Sequence, residues 1–270
     1  MKTKHKISKT SYLHYVKLFV RTAFFIAALV LYIIGRVKGT EVLFGGYERL
    51  SWLLLVIWFL YAVEMLLRFF PSKLESPGCQ KQFSRNYIPT GEQKPILQSW
   101  KRTLIVALVW LILNGAIGAL YYTDIIDMGI LVLISLAYGV CDMICILFFC
   151  PFQTWFMKNR CCTDCRIYNW DFAMMFTPYL FIPHLYTWSL LGMSLLLLLF
   201  WEITLRRHPE RFAENTNEGI HCKNCNEKLC LHKRQLRNFI KKNKKRLLDK
   251  GIEIKTSIDK KLEKHRKKHK

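Results

Sequence analysis

Five apolar stretches run along the chain, separated by segments where lysine, arginine and turn residues return. A bilayer core needs roughly 20 apolar residues per helix. Four stretches, 18–34, 51–70, 103–122 and 128–149, meet or approach that length and predict membrane-spanning helices. The first contains Arg21, which is expected to snorkel to the interface. It follows a basic segment as a signal peptide would, but has no small-x-small site before Gly35–Arg36, so it reads as a retained helix.

The fifth stretch, 171–202, is about 31 residues, roughly 46 Å as one helix. That is too long for one crossing and too short for two regular ones, and Pro178 and Pro183 interrupt it. Two arrangements follow. It forms a Pro-broken hairpin turning at Ile182–Pro183–His184, or 172–182 lies in the interface and only 185–203 crosses.

Charge separates these arrangements. The chain has 270 residues, 52% of them hydrophobic, yet carries 41 Lys+Arg against 19 Asp+Glu. Residues 205–270 hold 22 Lys or Arg and 8 Asp or Glu, a net +14. The segments around Lys73, Lys81, Arg85 and Lys94, and around Lys158, Arg160 and Arg166, are also basic, whereas the loop around Asp124 and Asp127 has no cation. Basic loops stay cytoplasmic, so the hairpin, with both termini in the cytoplasm of a cell membrane, is expected. Apolar content and length exclude a disordered chain, a disulfide-stapled miniprotein and a purely soluble domain. The predicted class is an all-α polytopic membrane protein. It comprises a basic segment 1–17, a helical domain 18–204, a Cys/His-rich segment 205–232 and a basic amphipathic helix with tail, 233–270.

This topology puts two cysteine pairs on one face. Cys162-x-x-Cys165 and Cys222-x-x-Cys225 each have the spacing that lets a tight turn aim two thiolates at one ion, and two such knuckles make a tetrahedral zinc site. Cys161, Cys230, His221 and His232 are additional ligand candidates. An iron–sulfur cluster and a redox-active thiol pair are the alternatives. Cys150 reads as a small buried hydrophobe, and Cys79 has no evident partner.

Glu64 and Asp142 lie inside apolar stretches, where ionisable groups are costly and mark functional sites. Counted from the predicted inner ends, both sit about 9–12 Å deep, so they can share a site. The bland expectation pairs Glu64 with Arg68 one turn along and makes Asp142 an interhelical contact. Cys141 and Cys145, flanking Asp142, read as packing residues more readily than as soft metal ligands, and Asn114 as interhelical glue. Phosphate-loop, zinc-protease, nucleophile-elbow and haem-attachment motifs do not occur, so an enzyme role has no sequence support.

Residues 233–250 interleave Leu236, Phe239, Ile240, Leu247 and Leu248 with nine lysines and arginines. A basic helix of this kind suits anionic lipid at a cytoplasmic surface. Nucleic acid is the weaker electrostatic partner, because no aromatic stacking platform accompanies the charge. The leading expectation is a membrane scaffold or interaction protein, possessing a zinc site that orders the tail and open to a protein partner. The alternatives are a membrane redox protein, or a small-solute or ion transporter using Glu64 and Asp142.

Overall fold

The computed structural model describes residues 9–39, 52–71, 77–159 and 165–221, with Lys233, Asn238 and Asn243. The chain divides into two units, Met1–Lys228 and Leu229–Lys270. In the second, the three described residues are helical.

The first unit is built of α1 (Lys9–Lys38), α2 (Trp52–Leu67), α3 (Pro77–Gln82), α4 (Trp100–Tyr122), α5 (Met128–Leu147), α6 (Asp171–Met175) and α7 (Leu185–Arg207). Helices α1, α4, α5 and α7 are long and apolar enough to cross a membrane, and α2 is a shorter apolar helix of 16 residues. The described residues form an all-helical protein without named strands. Large apolar side chains, including Leu104, Leu108, Ile112, Leu196 and Leu199, point outward from α4 and α7. Lipid would solvate such a surface where water would not.

Paired side chains fix the directions of the elements. Helices α1 and α5 are antiparallel: the Tyr32 hydroxyl donates to Asp127 at 2.8 Å, and Arg21 reaches Asp142 at the other end. Helices α2 and α7 are parallel, since Trp58 donates to Ser189 at 2.8 Å and Phe69 packs on Phe200 with ring centroids 5.4 Å apart.

Residues 166–182 form a third kind of element. They comprise a 3-10 turn at Arg166–Trp170, then α6, then a second 3-10 turn at Thr177–Phe181 with Pro178 near its start. This limb runs antiparallel to α7, from Trp170 donating to Glu202 at 2.8 Å up to Tyr179 beside Tyr186. It also follows α4, from Arg166 stacked on Trp100 at 4.6 Å to Phe181 lying over Gly118. A Cβ at Gly118 would sit 2.3 Å from the Phe181 ring, so only glycine admits this contact.

Irregular backbone at membrane depth persists only where protein surrounds it and supplies the missing hydrogen bonds. Both conditions hold here. Phe172, Phe176, Tyr179 and Ile182 are fully buried or nearly so, with Phe172, Phe176 and Tyr179 stacked in a column that Tyr61 meets edge-on. Ser135 donates to the Met175 carbonyl at 2.9 Å, and Thr187 donates to the Ile182 carbonyl at 2.7 Å. A 3-10 rise of about 2.0 Å per residue against 1.5 Å for an α-helix lets this short limb reach as far as its longer neighbour.

Two expectations fail. Asn114 is buried, but it donates to the Trp110 carbonyl of its own helix and not across helices. Arg21 does not snorkel: it is 2% exposed and points into the bundle.

Candidate functional site

Arg21 is the centre of a buried charge cluster. Its two terminal nitrogens divide between carboxylates of different helices: Nη2 donates to Glu64 Oε2 at 2.7 Å, and Nη1 to Asp142 Oδ2 at 3.0 Å. The same Nη1 donates to the Gly139 carbonyl at 3.0 Å, and the guanidinium lies 5.1 Å from the Tyr61 ring centroid. Lys17, one turn before Arg21, completes Glu64 at 3.2 Å. The planar fork of arginine suits this bridging, which a point charge on lysine would not reproduce.

A second pair lies beside it. Arg68 makes a two-pronged contact with Asp171, 2.7 Å between Nη1 and Oδ1 and 2.6 Å between Nη2 and Oδ2, while its guanidinium stacks 4.4 Å from the Phe172 ring centroid. Glu64 is thus held by Lys17 and Arg21, with Arg68 near enough to act on it by charge while bonding Asp171 of the limb. Helix α2 ends at Leu67, and the chain tightens into i to i−3 bonds at Arg68 and Phe69. The contact with Asp171 ties this turn to the limb. Three cations, Lys17, Arg21 and Arg68, thus meet three anions, Glu64, Asp142 and Asp171. Buried charge is tolerable only in such compensated groups. Nearby His14 is 2% exposed, and neither ring nitrogen has a hydrogen-bond partner among the described residues.

Four cysteines and two of these acids line one cavity of about 290 Å³ between α5 and the limb: Cys141, Cys145, Cys150, Cys165, Asp142 and Asp171. The rest of the wall is apolar and aromatic, with Trp110, Tyr138, Phe152 and Met174 among it. Cys145, in the last turn of α5, is hydrogen-bonded to Cys150. No group of three or more His, Cys, Asp or Glu is arranged as a metal site among the described residues. Cys141 and Cys145 share the wall of this cavity.

The same end of the bundle carries a polar cap made of residues 77–99 and 208–221. Asn215 holds it by accepting from the Ile96 amide at 2.9 Å and donating to the Lys94 carbonyl at 2.7 Å and to Glu92 at 2.8 Å. Asn217 donates to the carbonyls of Lys81 and Arg211, and the Glu218 amide donates to the Ile88 carbonyl at 2.8 Å. Below the cap, Arg166 and Trp170 both bond Glu202.

The sequence-derived metal ligands are only partly visible. Cys165 is 7% exposed, in a small cluster with Val106, Met157 and Ile167. His221 is half-buried, 3.7 Å from Glu214. Cys161, Cys162, Cys222, Cys225, Cys230 and His232 lie outside the described residues, as does the Cys79 side chain. Glu64 and Asp142 are brought together, through Arg21. Arg21 itself was missed as a site residue, although His14, Lys17 and Arg21 fall on one helical face that leads into the apolar run, which is a readable sign.

No protein family matches the chain, and no curated protein or solved structure is similar to it.

Proposed function

We propose that this protein is a membrane scaffold whose cytoplasmic end carries a four-cysteine zinc site, formed by Cys162, Cys165, Cys222 and Cys225, that fastens the chain after α7 to the helical bundle. The observation that carries the reading is the convergence at one end. Cys165 and Arg166 border the same small cleft as Leu205 and Phe212, and the segment from Phe212 to His221 is bonded into the cap at that end. Both knuckles therefore begin from anchored chain. A metal at this place substitutes for the hydrophobic core that so short a cap cannot build. The basic segment 233–250 follows directly in sequence and suits an anionic cytoplasmic leaflet.

This reading places both termini in the cytoplasm and has residues 166–182 and α7 cross as a pair. The start of α1 and the end of α7 fall at one end of the bundle through the pairings of Arg21 with Glu64 and of Phe69 with Phe200, which supports it. The charge cluster supports a structural role for Glu64 and Asp142 over transport, because each acid is held by a cation of the same cluster.

Metal analysis and an absorbance spectrum of anaerobically purified protein test the proposal. The expected result is one zinc per chain and no colour, with zinc lost in both Cys162→Ser and Cys222→Ser, and protease cleavage then opening the chain after Arg207. Iron with visible absorbance would replace the scaffold by the redox alternative. Zinc retained in both variants would overturn the shared site.

A further inference from the structure

We propose that Cys145 and Cys150 form a redox-active dithiol that is oxidised by a membrane quinone bound in the adjoining cavity. This inference is independent of the zinc reading, since neither cysteine belongs to that ligand set.

Three features of the structure meet here. The first is the pair itself. Helix α5 ends at Leu147, and the amides of Phe148 and Phe149 both close onto the Ile144 carbonyl. This turn brings Cys150 back to hydrogen-bond contact with Cys145. A disulfide needs its sulfurs about 2.0 Å apart with a defined torsion, so closure from contact asks for a small local movement, at a helix end where the backbone has already left α geometry.

The second feature is the cavity. Its volume of about 290 Å³ sits at the small end of ligand pockets, enough for one substituted ring. Trp110, Tyr138, Phe152 and Tyr168 give it flat aromatic walls, and Met174 and Met175 give it soft ones. An electron-poor, membrane-soluble ring fits such walls better than a hydrated solute does.

The third feature is a polar complement suited to a carbonyl and a proton. The Tyr138 hydroxyl makes no hydrogen bond among the described residues, while its ring packs on Trp110 at 4.7 Å. It is placed to donate to a quinone oxygen. Asp142 lines the same wall and uses Oδ2 for Arg21, so Oδ1 remains to accept a proton from a thiol.

The step balances. The two S–H bonds break, one S–S bond forms, and the dithiol gives up two electrons and two protons. The quinone takes both electrons, and its two carbonyl oxygens take the two protons to become the hydroxyls of a hydroquinone. Cellular dithiols can restore the pair by thiol–disulfide exchange.

The test uses the full chain, reduced and reconstituted in lipid nanodiscs, with a short-tailed ubiquinone-type quinone. Its ring is fully substituted, so thiols cannot add to it. The expected result is one hydroquinone formed per chain, with differential alkylation and peptide mapping placing a disulfide between Cys145 and Cys150. Cys145→Ser and Cys150→Ser should each abolish hydroquinone formation, while Cys79→Ser leaves it intact. Tyr138→Phe should slow the reaction with quinone roughly tenfold yet leave oxidation of the same pair by diamide unchanged, which separates quinone positioning from damage to the fold. Absence of hydroquinone from wild-type protein that diamide does oxidise at this pair would overturn the proposal. So would hydroquinone formation that survives in Cys145→Ser, or a Tyr138→Phe protein slowed equally toward both oxidants.

Discussion

The charge cluster around Arg21 and the polar cap at the same end are both built from hydrogen bonds, but they answer to different solvents. In the cluster, Arg21 and Arg68 are almost wholly buried and every charge faces an opposite one. In the cap, Glu92 and Lys94 are exposed and their partner Asn215 is half-buried, and neutral amide bonds predominate. The lesson is one of replaceability. A group in the cap that loses its partner finds water, whereas one in the cluster is left charged in a medium that cannot solvate it.

Removing Arg21 gives the sharpest break. Arg21→Met removes the cation that bridges Asp142 and Glu64, and breaking a buried pair costs about 3–5 kcal/mol. The expected result is a melting temperature in detergent lowered by roughly 10 °C, with reduced abundance in membranes. Arg21→Met combined with Glu64→Gln and Asp142→Asn should regain most of that loss. If the triple variant is as unstable as the single one, the cluster acts through arginine packing and not through charge.

A smaller effect is expected at Gly139. A Cβ there would lie 2.4 Å from the Tyr61 hydroxyl, so Gly139→Ala should cost about 1–3 kcal/mol by overpacking. Adding Tyr61→Phe removes the clashing atom and should restore much of the stability, measured by the same melting curves.

Glu202 lies between the two regimes, with its side chain 19% exposed. Glu202→Gln can accept from Arg166 Nε and Trp170 through its one amide oxygen but loses the bond from Arg166 Nη2 and the charge, and a loss of about 1 kcal/mol is expected. A shift in tryptophan emission would report the loosening of Trp170. Least of all, Asn215→Ala should leave global melting almost unchanged while raising protease cleavage and hydrogen exchange within residues 88–96. A large drop in melting temperature from this half-buried position would erase the contrast between the regions.

The apolar runs made the long helices legible, and Pro178 and Pro183 marked where regular helix would stop, because both signals are local. The equal depths of Glu64 and Asp142 were also countable along the chain. What joins them was not. Arg21 lies 121 residues from Asp142 and Arg68 lies 103 from Asp171, and no local rule relates residues so far apart. A lone arginine near the end of an apolar run normally reads as a boundary. The i+4 spacing of Arg68 from Glu64 was countable, but its reach to Asp171 was not, because it depends on the turn that follows the end of α2 at Leu67. The thiol-lined cavity was hidden for a third reason. Cys150 joins Cys145 through the turn that ends α5, and Cys165 arrives from another part of the chain.

The position of Arg21 also has a consequence for how the protein is made. Helix α1 leaves the ribosome before α2 and α5, carrying a lysine and an arginine on its buried face, yet Glu64 lies 43 residues beyond Arg21 and Asp142 lies 121 beyond it. At elongation rates of about 5–20 residues per second, its second acid arrives several seconds after Arg21. Through that interval α1 is poorly suited to lipid by itself, and the insertion machinery must retain it, or let its basic face remain at the surface, until α2 and then α5 emerge. Truncated chains ending before Asp142 should therefore stay bound to insertion factors, and full-length chains should be released. The charge cluster would then act as a checkpoint on synthesis, withholding entry into the bilayer until the helices that neutralise it have been translated.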